Sequence, residues 1–393
     1  QKTAYEIMPS LVGSEMCIRD RYKNGGGVMT ETMKAAVFEG DGKLVVKDVP
    51  VPEIKDRLFP KKYGGGYIKV PKEEQVKLKV LVASICGTDL HILHVPPGHD
   101  ATKGAILGHE YLGEVIEVGE AVANLKPGDR VVVDPNIKCG YCWFCRNDMA
   151  SMCRNMTTLG IFCDGGFAEY NIAPAKQLFK IPKDMDIEQA IFFEPVTCAT
   201  HCWSKMNFMV GDSVLIFGSG PMGCYFTKLA KISGASLVIV AEPNENRRVF
   251  AKKMGADIIV DPNKENLEEI VRENTSRDIC WGVDISIDAC GYPEVIKQAI
   301  DLTRPGGKIT MFGEQDINKT ANNVSFTKAN QKELRIFGSY VTTRSFDLTL
   351  NLLKRKDFNL KELITHRVKL ENIHDGLEAM RSGKAIKVLV YPR

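Results

Sequence analysis

The sequence predicts an α/β protein of two domains, a β-rich N-terminal domain followed by a doubly wound parallel sheet. Three observations carry that reading. The chain has 393 residues, more than one hydrophobic core organises, since single cores stop growing at roughly 250–300 residues. Its first part reads as short strands punctuated by Gly and Pro. Its second part alternates short apolar runs with segments of helical pattern, the signature of βαβ units. Composition fits an ordinary globular chain, at 44% hydrophobic and 26% charged residues, and excludes disorder. No apolar run reaches the roughly 18 residues a membrane span needs, and a net charge of +3 leaves no nucleic-acid footprint. The unusual count is 12 cysteines. In a long chain with clustered cysteines this points to a reduced, cytoplasmic metal-binding protein rather than a disulfide scaffold.

Each segment has its own warrant. Residues 1–28 lack a clean periodicity and contain Gly25-Gly26-Gly27 ahead of Met29. The string from Pro9 to Arg21 resembles translated sequencing-adapter DNA; a flexible natural extension is the other reading. Both predict a disordered segment outside the fold. Residues 29–195 form the β-rich part, with strands at Val76–Ala83, Glu114–Val118 and Arg130–Val133, the last preceded by the turn Pro127-Gly128-Asp129. Within it, Arg57–Gln75, with Gly64-Gly65-Gly66 and Pro71, reads as a surface loop or hairpin insertion. The sequence leaves open whether it shapes a substrate cleft or an oligomer contact.

Residues 196–345 carry six apolar runs: Val214–Phe217, Leu237–Ala241, Ile258–Val260, Val283–Asp288, Lys308–Phe312 and Arg335–Gly338. Six is the number a full dinucleotide-binding sheet needs. The tail, 346–393, has helical patterns at Leu348–Lys356 and Ile373–Ser382 and a strand at Ala385–Val390, which is expected to return to the first domain.

Gly218-Ser219-Gly220-Pro221-Met222-Gly223 matches G-x-G-x-x-G. Alone the motif is weak, because any packing turn recruits glycine. Here a strand leads in and a helical pattern follows, so the backbone is expected to approach a pyrophosphate at a helix N-terminus. Glu242 ends the next strand. A carboxylate there accepts ribose hydroxyls and repels a 2′-phosphate, favouring NAD over NADP. Arg247 and Arg248 pull the other way, since a guanidinium accepts a phosphate or stacks on adenine.

Cys139, Cys142, Cys145 and Cys153 form C-x2-C-x2-C-x7-C in a loop with few apolar residues. Four thiolates complete a tetrahedral zinc shell and leave no open position, which makes the site structural. Disulfides or an iron–sulfur cluster are the alternatives. A second set is dispersed: Cys86 in Ile85-Cys86-Gly87-Thr88-Asp89-Leu90-His91, and His109-Glu110. Thiolate, imidazole and carboxylate give three ligands and an open fourth position, where zinc acts as a Lewis acid. Singly, Cys86 reads as a small core residue and His109 as a hydrogen-bonded structural histidine; together they read as ligands.

On these motifs the chain, from Met33 to Arg393, resembles the zinc-dependent medium-chain dehydrogenases, which include alcohol, polyol, butanediol and L-threonine dehydrogenases. The resemblance implies a GroES-like catalytic domain, built from 29–195 and the tail, around a Rossmann domain. It implies that Cys86, His109 and Glu110 hold the catalytic zinc, with Glu110 moving between coordination and a position behind it. Glu194, in Phe193-Glu194-Pro195, stands where alcohol dehydrogenases have a further ligand, usually Cys, and would bind zinc directly or through its water. Asp89 would hold His109, and Thr88 and His91 would relay the proton from substrate to solvent. Met222, Glu242 and Arg247 would contact NAD, and Phe312, Gly313, Glu314, Ser339 and Tyr340 would lie on the nicotinamide side. The implied mechanism is a zinc-bound alkoxide that loses its proton through Thr88 and His91 and its hydride to nicotinamide, in a cleft that closes against water. A homodimer or homotetramer is implied as well.

The leading functional expectation is an NAD-dependent dehydrogenase of a secondary alcohol, a polyol or vicinal diol, supported by Glu194. L-Threonine 3-dehydrogenase is the alternative, suggested by Cys86-Gly87-Thr88-Asp89 and His109-Glu110-Tyr111. Against it, Gly160–Phe167 lacks the spacing of that branch. A non-catalytic zinc-binding adaptor is a remote third: it predicts missing ligands and a basic surface run, and neither occurs. The remaining cysteines, Cys163, Cys198, Cys202, Cys224, Cys280 and Cys290, are expected to be free buried thiols, with Cys17 in the leading segment.

Overall fold

The computed structural model describes residues 31–63, 65–314, 320–321, 323–343 and 345–393. The expectations for residues 1–28, Cys17 included, lie outside the described residues. The chain forms two compact units. Of the described residues, the first comprises those up to Ile191 with His366–Glu378 and Val388–Arg393; the second comprises those of Phe192–Thr365 and Ala379–Lys387. The tail from Phe346 is thus shared between them.

The first unit opens with an antiparallel hairpin, Thr32–Gly40 against Lys43–Pro50. Its main sheet runs in the order Leu178–Ile181, Arg130–Val133, Glu110–Val118, Gln75–Ile85, Lys387–Tyr391, Ile364–Lys369, and Tyr170–Pro174 also pairs with Gln75–Ile85. The long central strand alternates Val76, Leu78, Val80 and Val82 inward, all nearly inaccessible, the period-2 pattern of a half-buried sheet. Val388–Val390 of the last strand pair antiparallel with Ala83–Ile85, so the chain ends where its first core begins. The Arg57–Gln75 insertion is a hairpin: Arg57–Pro60 pairs antiparallel with Tyr67–Val70.

The second unit is built on six parallel strands in the order Ile258–Val260, Leu237–Ala241, Ser213–Phe217, Val283–Asp288, Thr303–Met311, Arg335–Gly338. Strands buried on both faces carry continuous apolar runs, and Leu215, Phe217, Ile239, Val260, Val283 and Ile309 form one core cluster. The strand order reverses between Ser213–Phe217 and Val283–Asp288, the point at which such sheets bind nucleotides. Among the described residues no helix is long and apolar enough to cross a membrane.

No disulfide joins any of the described cysteines. The expectation that the six thiols outside the metal motifs are buried holds for Cys163, Cys202 and Cys224. Cys198, Cys280 and Cys290 are only half-buried, because they sit at strand ends or on a partly exposed helix face.

Candidate active site and metal centres

The first centre is assembled by strand register. Ser84 stands opposite Glu110 in the antiparallel pair, and side chains two apart on a strand share a face. Ser84, Cys86 and Glu110 therefore converge, and the Ser84 hydroxyl donates to the Glu110 carboxylate. His109 enters from the turn just before the strand. Gly108 has φ +90°, and a Cβ there would lie 2.6 Å from the Phe167 ring, so only glycine satisfies both the backbone and the space. The Cys86 Sγ, a ring nitrogen of His109 and a carboxylate oxygen of Glu110 end within 4.8 Å of one another. His109 and Glu110 are buried, and Cys86 is half-buried. Three unlike donors around one point suit a zinc ion with an open fourth position.

Cys86 is also the N-cap of the short helix Gly87–Ile92. Asp89, fully buried, accepts the Cys86 backbone N–H at 2.9 Å through Oδ2. Its Oδ1 lies 3.8 Å from His109 Nδ1, an electrostatic separation longer than a hydrogen bond. One carboxylate thereby holds the Cys86 backbone and faces the His109 ring. The Cys86 thiol donates to Thr88 Oγ1 at 3.7 Å, and His91, on the next turn, is exposed. Burial raises the Cys86 thiol pKa and Glu110 raises it further, while His109 opposes both. A bound cation would favour the thiolate.

In the second centre the four sulfurs test the metal directly. Sγ separations are 3.5 Å (Cys142–Cys145), 3.6 Å (Cys139–Cys153), 3.8 Å (Cys142–Cys153) and 4.0 Å (Cys139–Cys145). A tetrahedron with Zn–S of about 2.3 Å has edges of about 3.8 Å, so one zinc fits among them. A disulfide, at about 2.05 Å, does not match any of these separations. A multi-iron cluster would spread the thiolates around several irons. Burial raises the Cys139 thiol, but hydrogen bonds from Asn155 Nδ2 and the backbone N–H groups of Tyr141 and Cys142 outweigh it and bring it down to about 6. Cys145, by burial and its thiol neighbours, is pushed up to about 12.

The nucleotide motif lies in the second unit, between the strand Ser213–Phe217 and the helix Pro221–Ile232. A Cβ at Gly223 would sit 2.0 Å from the Gly218 carbonyl oxygen, so glycine there lets helix and strand touch; Gly220 has nothing within 4 Å. That open space lies beside the free N–H groups of the helix, a fit for a pyrophosphate. The buried Glu242 accepts from the Ser219 N–H at 2.6 Å and the Asn244 N–H at 2.8 Å. Arg248 is committed to the Glu242 and Pro243 carbonyls and to Asp261. Arg247 keeps a buried Nε with no hydrogen-bond partner. Met222 is half-buried on the first turn of the helix. Phe312 packs edge-on against Phe226 at 5.0 Å. Gly313 N–H donates to the Asp288 carbonyl, Glu314 lies against Gly291, and Ser339 N–H donates to the Met311 carbonyl. Tyr340 is 39% exposed. Glu194 belongs to the second unit, on helix Phe193–Lys205, where the Cys198 thiol donates to its Oε1 at 3.6 Å.

Sequence reasoning missed several supporting groups. Ser84 was findable as the residue two before Cys86 on a strand. Asn155, which donates to Cys139, and Asp288, whose Oδ1 accepts the Cys290 and Gly291 N–H groups at 3.0 and 2.8 Å, carry no spacing signal. Nor does Gly160, where a Cβ would lie 2.6 Å from the His109 backbone nitrogen.

Residues 72–183 match the family model described as an alcohol dehydrogenase GroES-like domain, and residues 221–355 match that described as a zinc-binding dehydrogenase. L-Threonine 3-dehydrogenase of Thermococcus kodakarensis is 36% identical over 339 residues, 84% of this chain and 95% of that protein. A zinc-binding dehydrogenase of Sinorhizobium meliloti 1021, solved bound to NADP, superposes with a TM-score of 0.83 at 31% identity, over 92% of this chain and 100% of that one. The 2R,3R-butanediol dehydrogenase of Bacillus subtilis gives 0.80 at 29% identity, over 92% and 100%.

Proposed function

We propose, for a chain that belongs to the zinc-dependent medium-chain alcohol dehydrogenases, that it oxidises a secondary alcohol flanked by a second polar group, with NAD+ as hydride acceptor. A polyol or vicinal diol is the first reading of that substrate. The observation that carries the proposal is the convergence of Cys86, His109 and Glu110 within 4.8 Å.

Cys86, His109 and Glu110 would hold the catalytic zinc, which when bound supplies a Lewis acid that lowers the pKa of a substrate hydroxyl. Glu194 is proposed as a further ligand, direct or through water. Asp89 fixes the orientation of the His109 ring and of the Cys86 backbone, so the ligands need not reorganise during turnover. Ser84 holds Glu110 toward the strand. Thr88 accepts the substrate hydroxyl proton while passing its own along a hydrogen-bonded path, and the exposed His91 releases it to solvent. The substrate carbon gives up its hydride to nicotinamide and becomes a carbonyl, so one proton and one hydride leave together.

The preference for NAD+ rests on Glu242. Held by two backbone N–H groups, it cannot swing away from a 2′-phosphate, and Arg248 is already engaged. The NADP bound to the Sinorhizobium meliloti neighbour makes the ratio of kcat/KM for NAD+ and NADP+ the direct measurement; a preference for NADP+ would overturn this assignment.

L-Threonine is the second reading, favoured by the name of the relative at 36% identity. A panel of L-threonine, 2,3-butanediol and sorbitol, with zinc content measured alongside, decides between them. Threonine as sole substrate would remove the first reading, and no alcohol oxidation with a full zinc complement would remove both.

A further inference from the structure

Asp89 holds the Cys86 backbone and Ser84 holds the Glu110 carboxylate, and a separate set of contacts fixes the backbone that delivers His109. The segment Asp164–Phe167 lies along Ile106–Gly108, the three residues that lead into that histidine. Gly165 N–H donates to the Ile106 carbonyl at 2.9 Å, Phe167 N–H to the Leu107 carbonyl at 3.0 Å, and Gly166 N–H to the Gly108 carbonyl at 2.7 Å. In return the Ile106 N–H donates to Asp164 Oδ1 at 3.1 Å. Every carbonyl of the lead-in is thereby held. The approach is as close as backbone allows. A Cβ at Gly165 would sit 2.2 Å from the Gly160 Cα and 2.4 Å from the Gly108 carbonyl oxygen, and one at Gly166 would sit 2.4 Å from Tyr111 Cβ. No side chain fits between this segment and the turn that bears the ligands, so a shift of one moves the other.

One side chain fixes the segment from behind. Asn171 is buried on the strand Tyr170–Pro174. Its Nδ2 donates to the Asp164 carbonyl at 2.9 Å and to the Gly165 carbonyl at 3.1 Å, and its Oδ1 accepts the Tyr111 hydroxyl at 2.7 Å. Carbonyls only accept, so these two decide which end of the amide is nitrogen. Both amide N–H groups and the amide oxygen are thus engaged. Tyr111 is buried and follows Glu110 on its strand, so it points to the opposite face. Asn171 therefore grips the segment that clamps the approach to His109 and, through Tyr111, the strand that carries Glu110.

We infer that Asn171 is a positioning residue for the catalytic metal: with Tyr111 it sets the backbone of His109 and Glu110, so that their donors meet Cys86 without reorganising. This rests on the reading of Cys86, His109 and Glu110 as the zinc centre.

Competition between the full chain and a chelator of known zinc affinity tests it, with Tm and the kcat and KM of an oxidised alcohol measured alongside. Asn171→Leu, close in size but without hydrogen-bonding groups, should weaken one of the two zinc sites about 10–100-fold and lower kcat. The other zinc site should keep its affinity. Cobalt(II) placed in the weakened site should show a shifted ligand-field absorption. Tyr111→Phe, which keeps the ring against Gly166, should act in the same direction by less. The double variant should bind zinc no more weakly than Asn171→Leu alone, because both changes break one chain of contacts.

Gln75→Leu separates positioning from stability. Gln75 is buried in the same unit, and its Nε2 donates to the Lys55 and Val70 carbonyls, both at 2.8 Å. The variant loses as many donated bonds as Asn171→Leu without touching the clamp, so it should lower Tm and leave both zinc affinities and the cobalt spectrum as in the parent. A fall in Tm for Asn171→Leu at unchanged zinc affinity overturns the inference, as does an equal loss of zinc affinity in Gln75→Leu. Should Asn171→Leu yield no folded protein, Tyr111→Phe decides by the same criteria. A parent chain that takes zinc only into the four-cysteine loop overturns the reading of the centre itself, and this inference falls with it.

Discussion

The two metal centres of the first unit use cysteine in opposite ways. In the loop 139–153, four like donors from one short stretch of chain sit at the corners of a single tetrahedron, and the stretch has little core of its own. In the other centre, one thiol is joined by an imidazole and a carboxylate from a facing strand, all backed by buried groups of the main sheet. The first arrangement lets an ion hold the chain. The second lets the chain hold an ion, and leaves one of its faces for something else. Donor count and the rigidity behind the donors, rather than the metal, separate a structural from a catalytic role.

The sharpest way to break that contrast is to remove one ligand from each. Cys86→Ala is expected to abolish turnover and one of two zinc equivalents, with nucleotide binding and Tm nearly retained, because Cys86 is half-buried at a helix start rather than in the core. Retained turnover would reject the assignment of this centre. Cys153→Ser should show the converse pattern: one zinc equivalent lost and a fall in Tm on the order of 5–10 °C, as a loop that depends on its metal loses order. Equal stability of this variant would mean that the loop is held by its own contacts. Asp89→Asn is intermediate. It keeps shape but removes the charge facing His109 and Cys86, and should cost roughly 10–100-fold in zinc affinity or kcat; stability similar to the parent would show that the effect acts through the ligands.

The same contrast explains what was legible beforehand. The four-cysteine spacing declares its geometry, because ligands close in sequence are close in space. The parallel sheet was equally open to reading: Leu237–Ala241 and Ile258–Val260 match their apolar runs, the first as a central strand buried on both faces does. Val283–Asp288 and Arg335–Gly338 also keep the expected bounds, although buried Asp284 and Ser286 interrupt the first and the second is a half-exposed edge. The strand Thr303–Met311 begins five residues before the run Lys308–Phe312, because its first part holds Pro305, Gly306 and Gly307. The open centre needed long-range register. That Ser84 faces Glu110, and that Asp89 serves both Cys86 and His109, depends on β-bulges between Lys77 and Leu78 and between Val80 and Val82, which no local pattern encodes. The hairpin Arg57–Pro60 and Tyr67–Val70 was visible only as an insertion, since its position is set by a backbone bond from Lys62 to Met156.

The second unit provides the gentlest test, because its sheet relies on a carboxylate where the first unit relies on thiolates. Buried Asp284 accepts from Ser213 N–H at 2.8 Å and Oγ at 2.6 Å, and from Arg304 Nε at 2.6 Å, joining the starts of three adjacent strands. Burial by itself would raise its pKa, but these hydrogen bonds and the Arg304 charge outweigh burial and hold it down to about 2. In the unfolded chain it would titrate near 3.9. A carboxyl depressed on folding stabilises the fold fully above the unfolded value and loses that contribution as pH falls toward the folded one. About two pH units of depression correspond to roughly 2.6 kcal/mol. Unfolding measured from pH 5 to pH 2 should therefore lose most of that, about 2 kcal/mol, from this group. Asp284→Asn should be less stable at pH 5 and show a flatter acid limb, and parallel acid limbs for the two proteins would show that Asp284 is not ionised in the fold. Because the site lies at the strand starts and the nucleotide motif lies at the strand ends, the same variant should leave the NAD+ affinity nearly unchanged at neutral pH, which separates a loss of sheet stability from damage to the cofactor site.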